Sequence, residues 1–281
     1  MNKKMSADLL IKSNYKNLTK SEKKAADYSL NNADKIFTQT LREFSTKCGI
    51  GEATTMRFIK KMGYANFAEF KMAIAALPLK DNKSSDEHDP IVDFQEDINE
   101  ITNQTLLAND KALLEKAVDY IEDANHLVFM GHGTSGYVAQ IIAYFFNRAG
   151  RECEDVTDIH YSEIRSVFLK EGDVLVAISH SGDNVDIIGP VKRAKENGCT
   201  IITVTAYKTT MLQKFADIPL FHSPGPLEHR IYGAGMRNVM TQQFLVELLY
   251  IIYKQRHLEE VLTNQELTAI STADNHTILK G

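Results

Sequence analysis

Two short loops bring hydroxyls and glycines together where a phosphate could be held: Ser179-His180-Ser181-Gly182 and Gly131-His132-Gly133-Thr134-Ser135-Gly136. The Ser179 loop follows Val174-Leu175-Val176-Ala177-Ile178, an apolar run too short for a helix and bounded by Gly172 and Gly182. Such a run reads as a strand buried on both faces. A helical pattern (Val185, Ile188, Val191, Ala194) then continues to Gly198. The hydroxyls thus stand between the carboxyl end of a strand and the N-terminus of a helix. Ligands of open α/β sheets bind at that edge. A helix N-terminus adds free N–H groups and a positive dipole end. Serine hydroxyls donate to phosphate oxygens, and Gly182 permits close backbone approach. An ordinary strand–loop–helix turn with a serine cap fits the same residues. Two Ser/Gly loops from parallel strands suit one phosphate gripped from two sides better than an extended pyrophosphate. The GxGxxG match at 131–136 keeps a dinucleotide fold open as an alternative, with Asp155 or Asp158 as its acidic partner.

These loops need a sheet to position them. Strand patterns occur at His126–Gly131, Glu152–Thr157, Asp173–Ser179, Thr200–Ala206 and Ile218–Ser223. Helical patterns fill the gaps at Ser135–Ala149, Ser162–Lys170, Val185–Asn197 and Thr210–Phe215. Alternation of this kind predicts a five-stranded parallel sheet flanked by helices. Two helices between Ile91 and about Asp123 precede it, and a long helix over about Ala234–Gln255 follows. Residues after Leu258 read as a short helix and a loose tail.

The first 78 residues are different. Thr19 with Glu22 forms a capping box at the start of a helix that Asn31-Asn32 ends. Arg42 to Cys48, the short turn Gly49-Ile50-Gly51, and Glu52 to Met62 closed by Gly63 have the order of a helix-turn-helix. Its second helix enters the major groove by its N-terminal part. Thr54, Arg57 and Lys61 share one face, flanked by Thr55 and Lys60, while Met56, Ile59 and Met62 point toward the first helix. Arg57 suits a guanine edge or a phosphate, Thr54 and Thr55 either, and the lysines phosphates. Phe67 and Phe70 complete a small core. Residues 1–80 hold 15 Lys and Arg against 7 Asp and Glu, a net of +8, whereas the remainder holds 17 against 30, a net of −13. A basic segment on an acidic body points to a polyanionic partner. Residues 79–90 are polar and read as a linker. The organisation expected is therefore 1–78 helix-turn-helix, 79–90 linker, 91–258 phosphate-binding α/β domain and 259–281 tail.

The three cysteines, Cys48, Cys153 and Cys199, are scattered, which excludes a disulfide framework or a CxxC knuckle. No signal peptide or membrane span is recognisable, so a cytoplasmic location is expected. His132 and His180 stand one in each loop, but no Cys/His/acid spacing supports a metal. No metal and no organic cofactor are expected.

LTKSEKKAADY followed by EATTMRFIKKMGYANFAEFK resembles the N-terminal helix-turn-helix of RpiR/MurR-type bacterial transcriptional regulators. GHGTSGYVA and DVLVAISHSGDNVD resemble the two phosphate loops of their sugar isomerase (SIS) domain. The resemblance covers the chain apart from the linker and the tail. It implies a domain that senses a phosphorylated sugar rather than converting it. The family's first-loop serine falls on Ser135 and its second-loop pair on Ser179 and Ser181. Gly133, Gly182, Asn184 and Glu228 complete the implied ligand set. Asn184 stands where the family often has Thr, Asp183 where it often has Glu, and Met236-Arg237 where Ser-Arg is common. Gly51 replaces a common Ser N-cap. These departures bear on which sugar is sensed.

Two functions follow. The first is a regulator that binds a double-stranded DNA operator as a homodimer or homotetramer and responds to a phosphosugar. The second is an aldose–ketose phosphosugar isomerase with a helical appendage, for which Glu228-His229 could move a proton between C1 and C2.

Overall fold

The computed structural model describes residues 7–36, 39–75, 89–225 and 236–278. The chain forms two compact units, Met1–Leu107 with Tyr207–Thr209, and Ala108–Ala206 with Thr210–Gly281.

The N-terminal unit is helical: α1 (Ala7–Asn14), α2 (Lys20–Asn31), α3 (Ala33–Ile36), α4 (Leu41–Cys48), α5 (Glu52–Lys61), α6 (Phe67–Ala75) and α7 (Pro90–Ala108). The predicted capping box at α2 is present, Thr19 accepting from the Glu22 amide while Glu22 accepts from the Thr19 amide. A second box, Thr40 with Glu43, starts α4 in the same way. Gly49 closes α4 at φ +63°, a left-handed position that glycine fills without strain. The core gathers Ile36, Phe44, Phe58, Ile59, Met62, Phe70 and Ile74. Phe70 lies at its centre, with edge-on contacts to Phe44 at 6.2 Å, Phe58 at 5.7 Å and Tyr64 at 5.5 Å between ring centroids. Each such pair adds about 0.5–1.5 kcal/mol beyond its area.

The C-terminal unit contains α8 (Lys111–Asp123), β1 (Leu127–Gly131), α9 (Thr134–Arg148), β2 (Glu154–Val156), α10 (Ile159–Phe168), β3 (Val174–Ile178), α11 (Val185–Glu196), β4 (Thr200–Thr205), a 3-10 turn (Leu212–Phe215), β5 (Ile218–Phe221), α12 (Met236–Arg256) and α13 (Leu258–Ile278). All five strands are parallel, in the order β2-β1-β3-β4-β5. β1 and β3 are buried at every position, as continuous apolar runs require when helices cover both faces. One face packs on α8, α9 and α12 through Leu127, Phe129, Val174, Val176 and Ile178. The other packs on α11 through Val128, Met130, Leu175 and Ala177.

Two sequence expectations change, and a third falls mostly outside the described residues. Beyond Leu258, where a short helix and a loose tail are expected, one long helix, α13, continues to Ile278; its Asn264 donates to the Ala149 carbonyl and its Gln265 to Tyr250. The polar stripe facing α9 carries no hydrophobic periodicity, so the sequence pattern is weak there. The expected linker at 79–90 lies outside the described residues as far as residue 88. The compact N-terminal unit runs on through α7, so Ile91 does not begin the second unit. Gln104 of α7 donates to Asp8 of α1, and Lys12 of α1 pairs with Glu100 of α7.

Candidate functional site

On the helix-turn-helix, the residues predicted to face DNA divide by burial. Arg57 and Lys60 are exposed and Thr54 half-buried, and Arg57 Nη2 donates to Thr54 Oγ1 at 3.2 Å. Thr55 is fully buried, so the expected DNA contact is corrected. Its hydroxyl lies 2.8 Å from Ser45 Oγ and 3.4 Å from the Gly51 carbonyl, fastening α5 to α4. The buried stripe of α5 is Thr55, Phe58, Ile59 and Met62, an i, i+3, i+4, i+7 set. Met56, assigned to that stripe from sequence, is half-buried beside it. Lys61 is exposed and also holds partners within the unit. Its ammonium donates to the Asn17 carbonyl at 2.7 Å and to Glu22 Oε2 at 3.2 Å, pinning the end of α5 to the start of α2. Burial raises the Glu22 pKa, but the Thr19 amide and Lys61 outweigh it and hold the carboxyl below its ordinary value. Thr54, Arg57 and Lys60, rising at i, i+3, i+6, stand outward with the exposed Lys61 beside them.

In the C-terminal unit the strand order reverses between β1 and β3, the position where ligands of open α/β sheets bind. Register pairs Gly131 with Ile178, so the two predicted loops leave the sheet at the same level. The first turns at once into α9: a Cβ on Gly131 would lie 2.6 Å from the Ser135 carbonyl oxygen. Gly133, the N-cap of α9, adopts φ +59° and ψ −129°, a conformation left essentially to glycine. Ser135 follows in the first turn, 7% exposed.

The second loop is held internally. Ser179 Oγ accepts from the Gly182 amide at 3.2 Å and Ser181 Oγ from the Asp183 amide at 3.3 Å. A hydroxyl that accepts still has its proton to donate. Gly182 has φ +63°, and a Cβ there would come 2.5 Å from Thr210 Oγ1. Asp183 Oδ1 accepts from the Met211 amide at 2.7 Å, and the Gly182 carbonyl accepts from the Leu212 amide. Asn184 is the N-cap of α11, its Oδ1 accepting from the Asp186 amide. That geometry leaves its amide nitrogen, rather than its oxygen, to face an anion. Of the two alternative dinucleotide acids, Asp158 caps α10 by accepting from the Tyr161 amide, and Asp155 lies in β2 opposite Phe129 of β1. Glu228 and His229 lie outside the described residues.

His222, which sequence reasoning passed over, is fully buried beyond β5. Its Nδ1 lies 2.9 Å from Thr241 Oγ1 and 3.0 Å from the Ser223 carbonyl, and its ring is 5.2 Å from that of His180. Burial, reinforced by His180, pushes its pKa well below 6.5 against the opposing Ser223 carbonyl. The unfolded chain therefore takes up a proton that the native protein refuses, and stability present above pH 6.5 is lost as pH falls below it. One such proton gives a slope approaching ~1.4 kcal/mol per pH unit. Urea unfolding at pH 7.5, 6.5 and 5.5 is expected to show this acid loss, with a shallower slope in His222→Gln.

Burial pushes each thiol, Cys48, Cys153 and Cys199, up to about 12, so none is a ready nucleophile. Among the described residues no three His, Cys, Asp or Glu side chains gather to hold a metal, and no helix is long and apolar enough to cross a membrane.

Comparison with known proteins parallels this division. Residues 5–77 match the helix-turn-helix domain of the rpiR family, and residues 120–252 match the SIS domain. The chain is similar to an uncharacterized HTH-type transcriptional regulator of Clostridium perfringens, with 34% identity over 244 residues, 83% of this chain and 86% of that protein. A regulator of the same description from Caldanaerobacter subterraneus is 31% identical over 260 residues, 89% of this chain and 91% of its own length. Among solved structures, the NanR protein of Vibrio vulnificus complexed with ManNAc-6P shares the fold at a TM-score of 0.61 and 22% identity, covering 95% of this chain and 98% of that one. The sugar isomerase domain of an RpiR transcription factor from Sphaerobacter thermophilus does so at 0.57 and 24%, covering 64% and 97%.

Proposed function

The chain belongs to the rpiR family of helix-turn-helix transcriptional regulators with a SIS domain, and on that basis we propose that it binds an operator through α5 and is controlled by a phosphorylated sugar in the C-terminal unit. The observation that carries the effector half is the meeting of two serine loops at the strand-order reversal. Ser135 heads α9, and Ser179 and Ser181 precede α11. Three hydroxyls and two helix N-termini at one sheet edge suit a phosphate dianion. The NanR complex with ManNAc-6P, on the same fold, supports this choice of ligand class. Gly133 and Gly182 shape the loops, Asn184 offers its amide, and Glu228 is assigned to the sugar hydroxyls.

On the DNA side, Arg57 and Thr54 read base edges or phosphates and Lys60 contacts phosphate. Thr55 supports the helix from within, and Lys61, exposed at its end, ties it to Asn17 and Glu22. Reading paired half-sites needs two recognition helices, so the working form is a homodimer or homotetramer in the cytoplasm. Exposed apolar side chains on α9 (Tyr137, Ile141, Tyr144) and α10 (Ile164, Phe168) offer a surface for that association. The protein acts as a sensor rather than an enzyme.

The test is calorimetric titration of the full chain with inorganic phosphate and a panel of pentose and hexose phosphates, alongside Ser179→Ala. Selective binding of one phosphosugar, weakened at least tenfold by the substitution, supports the sensor. Interconversion of aldose and ketose phosphates that vanishes in Glu228→Gln would instead establish the isomerase.

A further inference from the structure

His132 stands between Gly131 and Gly133 on the loop that delivers Ser135. Along β1, Val128 and Met130 face the α11 side of the sheet while Leu127 and Phe129 face the other. Continuing that alternation past Gly131 carries His132 toward α10 and α11. The charges acting on its ring agree: Asp186 lies in the first turn of α11, and Asp158 is the N-cap of α10. Both ring nitrogens are buried, and neither has a hydrogen-bond partner among the described residues. Orphaned buried polar atoms are costly and uncommon, so an imidazole kept this way has a reason outside the fold's own hydrogen bonds.

We infer that His132 reads the sugar end of the effector, and that with Asp158 and Asp186 it selects a neutral or amino sugar phosphate over a phosphorylated sugar acid. This rests on the phosphosugar reading of the two serine loops. Burial lowers the ring's pKa against the two carboxylates, so at neutral pH it carries one donor and one acceptor. A sugar hydroxyl can satisfy either nitrogen, and neighbouring hydroxyls both. A carboxylate at that end of the ligand would meet two like charges and an imidazole able to donate only once. The serines grip the phosphate, and His132 distinguishes what is attached to it.

The experiment compares wild type, His132→Leu and His132→Asn in the full chain. Affinity is measured for inorganic phosphate, glucose 6-phosphate, glucosamine 6-phosphate, ribose 5-phosphate and 6-phosphogluconate, and the ligand-free melting temperature is recorded. Wild type is expected to bind its preferred neutral or amino sugar phosphate at least tenfold more tightly than 6-phosphogluconate. His132→Leu is expected to weaken the preferred sugar at least tenfold and to compress the spread, with phosphate affinity unchanged within about twofold and no fall in melting temperature. His132→Asn, retaining a donor and an acceptor, should recover part of the preference. Unchanged discrimination in His132→Leu overturns the inference. A melting temperature lowered by several degrees, with all ligands weakened alike, makes His132 structural and also overturns it. Wild type that binds phosphosugars but prefers 6-phosphogluconate overturns it while leaving the sensor intact. Wild type that binds none of the sugars overturns the reading on which it rests.

Discussion

Replacing Arg57 with alanine is expected to lower operator affinity by about 1–3 kcal/mol, roughly 5- to 150-fold, while binding to random DNA falls much less. The side chain is exposed on α5 and donates a 3.2 Å hydrogen bond to the neighbouring Thr54 hydroxyl, so the helix folds without it. Its loss removes a planar guanidinium with several donors, which a lysine does not reproduce at a base edge. Lys60→Ala should act differently, weakening all sequences alike and reducing the salt slope by about one. Lys61→Ala belongs to a third class. Its ammonium is tied to Asn17 and Glu22, so the substitution loosens the α2–α5 contact more than it removes a DNA contact. Fluorescence anisotropy with specific and random duplexes separates the three. An equal loss on both duplexes for Arg57→Ala would assign that residue to phosphate alone.

Gly131→Ala is expected to destroy the effector response and to destabilise the C-terminal unit by about 1–3 kcal/mol or more, as overpacking does. The added methyl would sit 2.6 Å from the Ser135 carbonyl oxygen and 2.8 Å from its carbonyl carbon. These are backbone atoms of the first turn of α9 and cannot swing aside as a side chain can. Relief requires moving α9 off the sheet edge, which carries Ser135 away from Ser179. Gly133→Ala meets open space and carries only the strain of its φ, about 1–3 kcal/mol. Chemical denaturation and phosphosugar titration of both variants check the order. A Gly131→Ala protein that still binds its sugar as wild type does would mean the first loop takes no part.

The sheet was legible because β1, β3 and β4 are apolar at nearly every position, and no helix of that length hides such a run. The loops were legible because glycine and serine interrupt those runs where a parallel strand must give way to a helix. Burial on the surface of a helix was harder. Thr55 looks like a polar residue beside Arg57, and only the i, i+3, i+4, i+7 set it forms with Phe58, Ile59 and Met62 marks it as core. The partners of Lys61 within the unit, Asn17 and Glu22, were not legible because they are some forty residues distant and no local spacing points to them. His222 gave no signal, being a lone histidine after a strand whose partners Thr241 and Gln242 come from α12. The full length of α13 was not legible because its inward residues include Asn264 and Gln265, whose hydrogen bonds are tertiary.

Coupling between sugar and operator requires that the ligand favour one DNA-binding arrangement over another. The most direct measurement is binding of the full chain to the DNA upstream of its own gene, titrated with salt and repeated with each sugar phosphate. Tight binding with a steep salt dependence is expected, changed at least fivefold by one phosphosugar in wild type but not in Ser179→Ala. Binding no tighter than to random DNA, with or without every sugar in the panel, would contradict a sugar-controlled regulator.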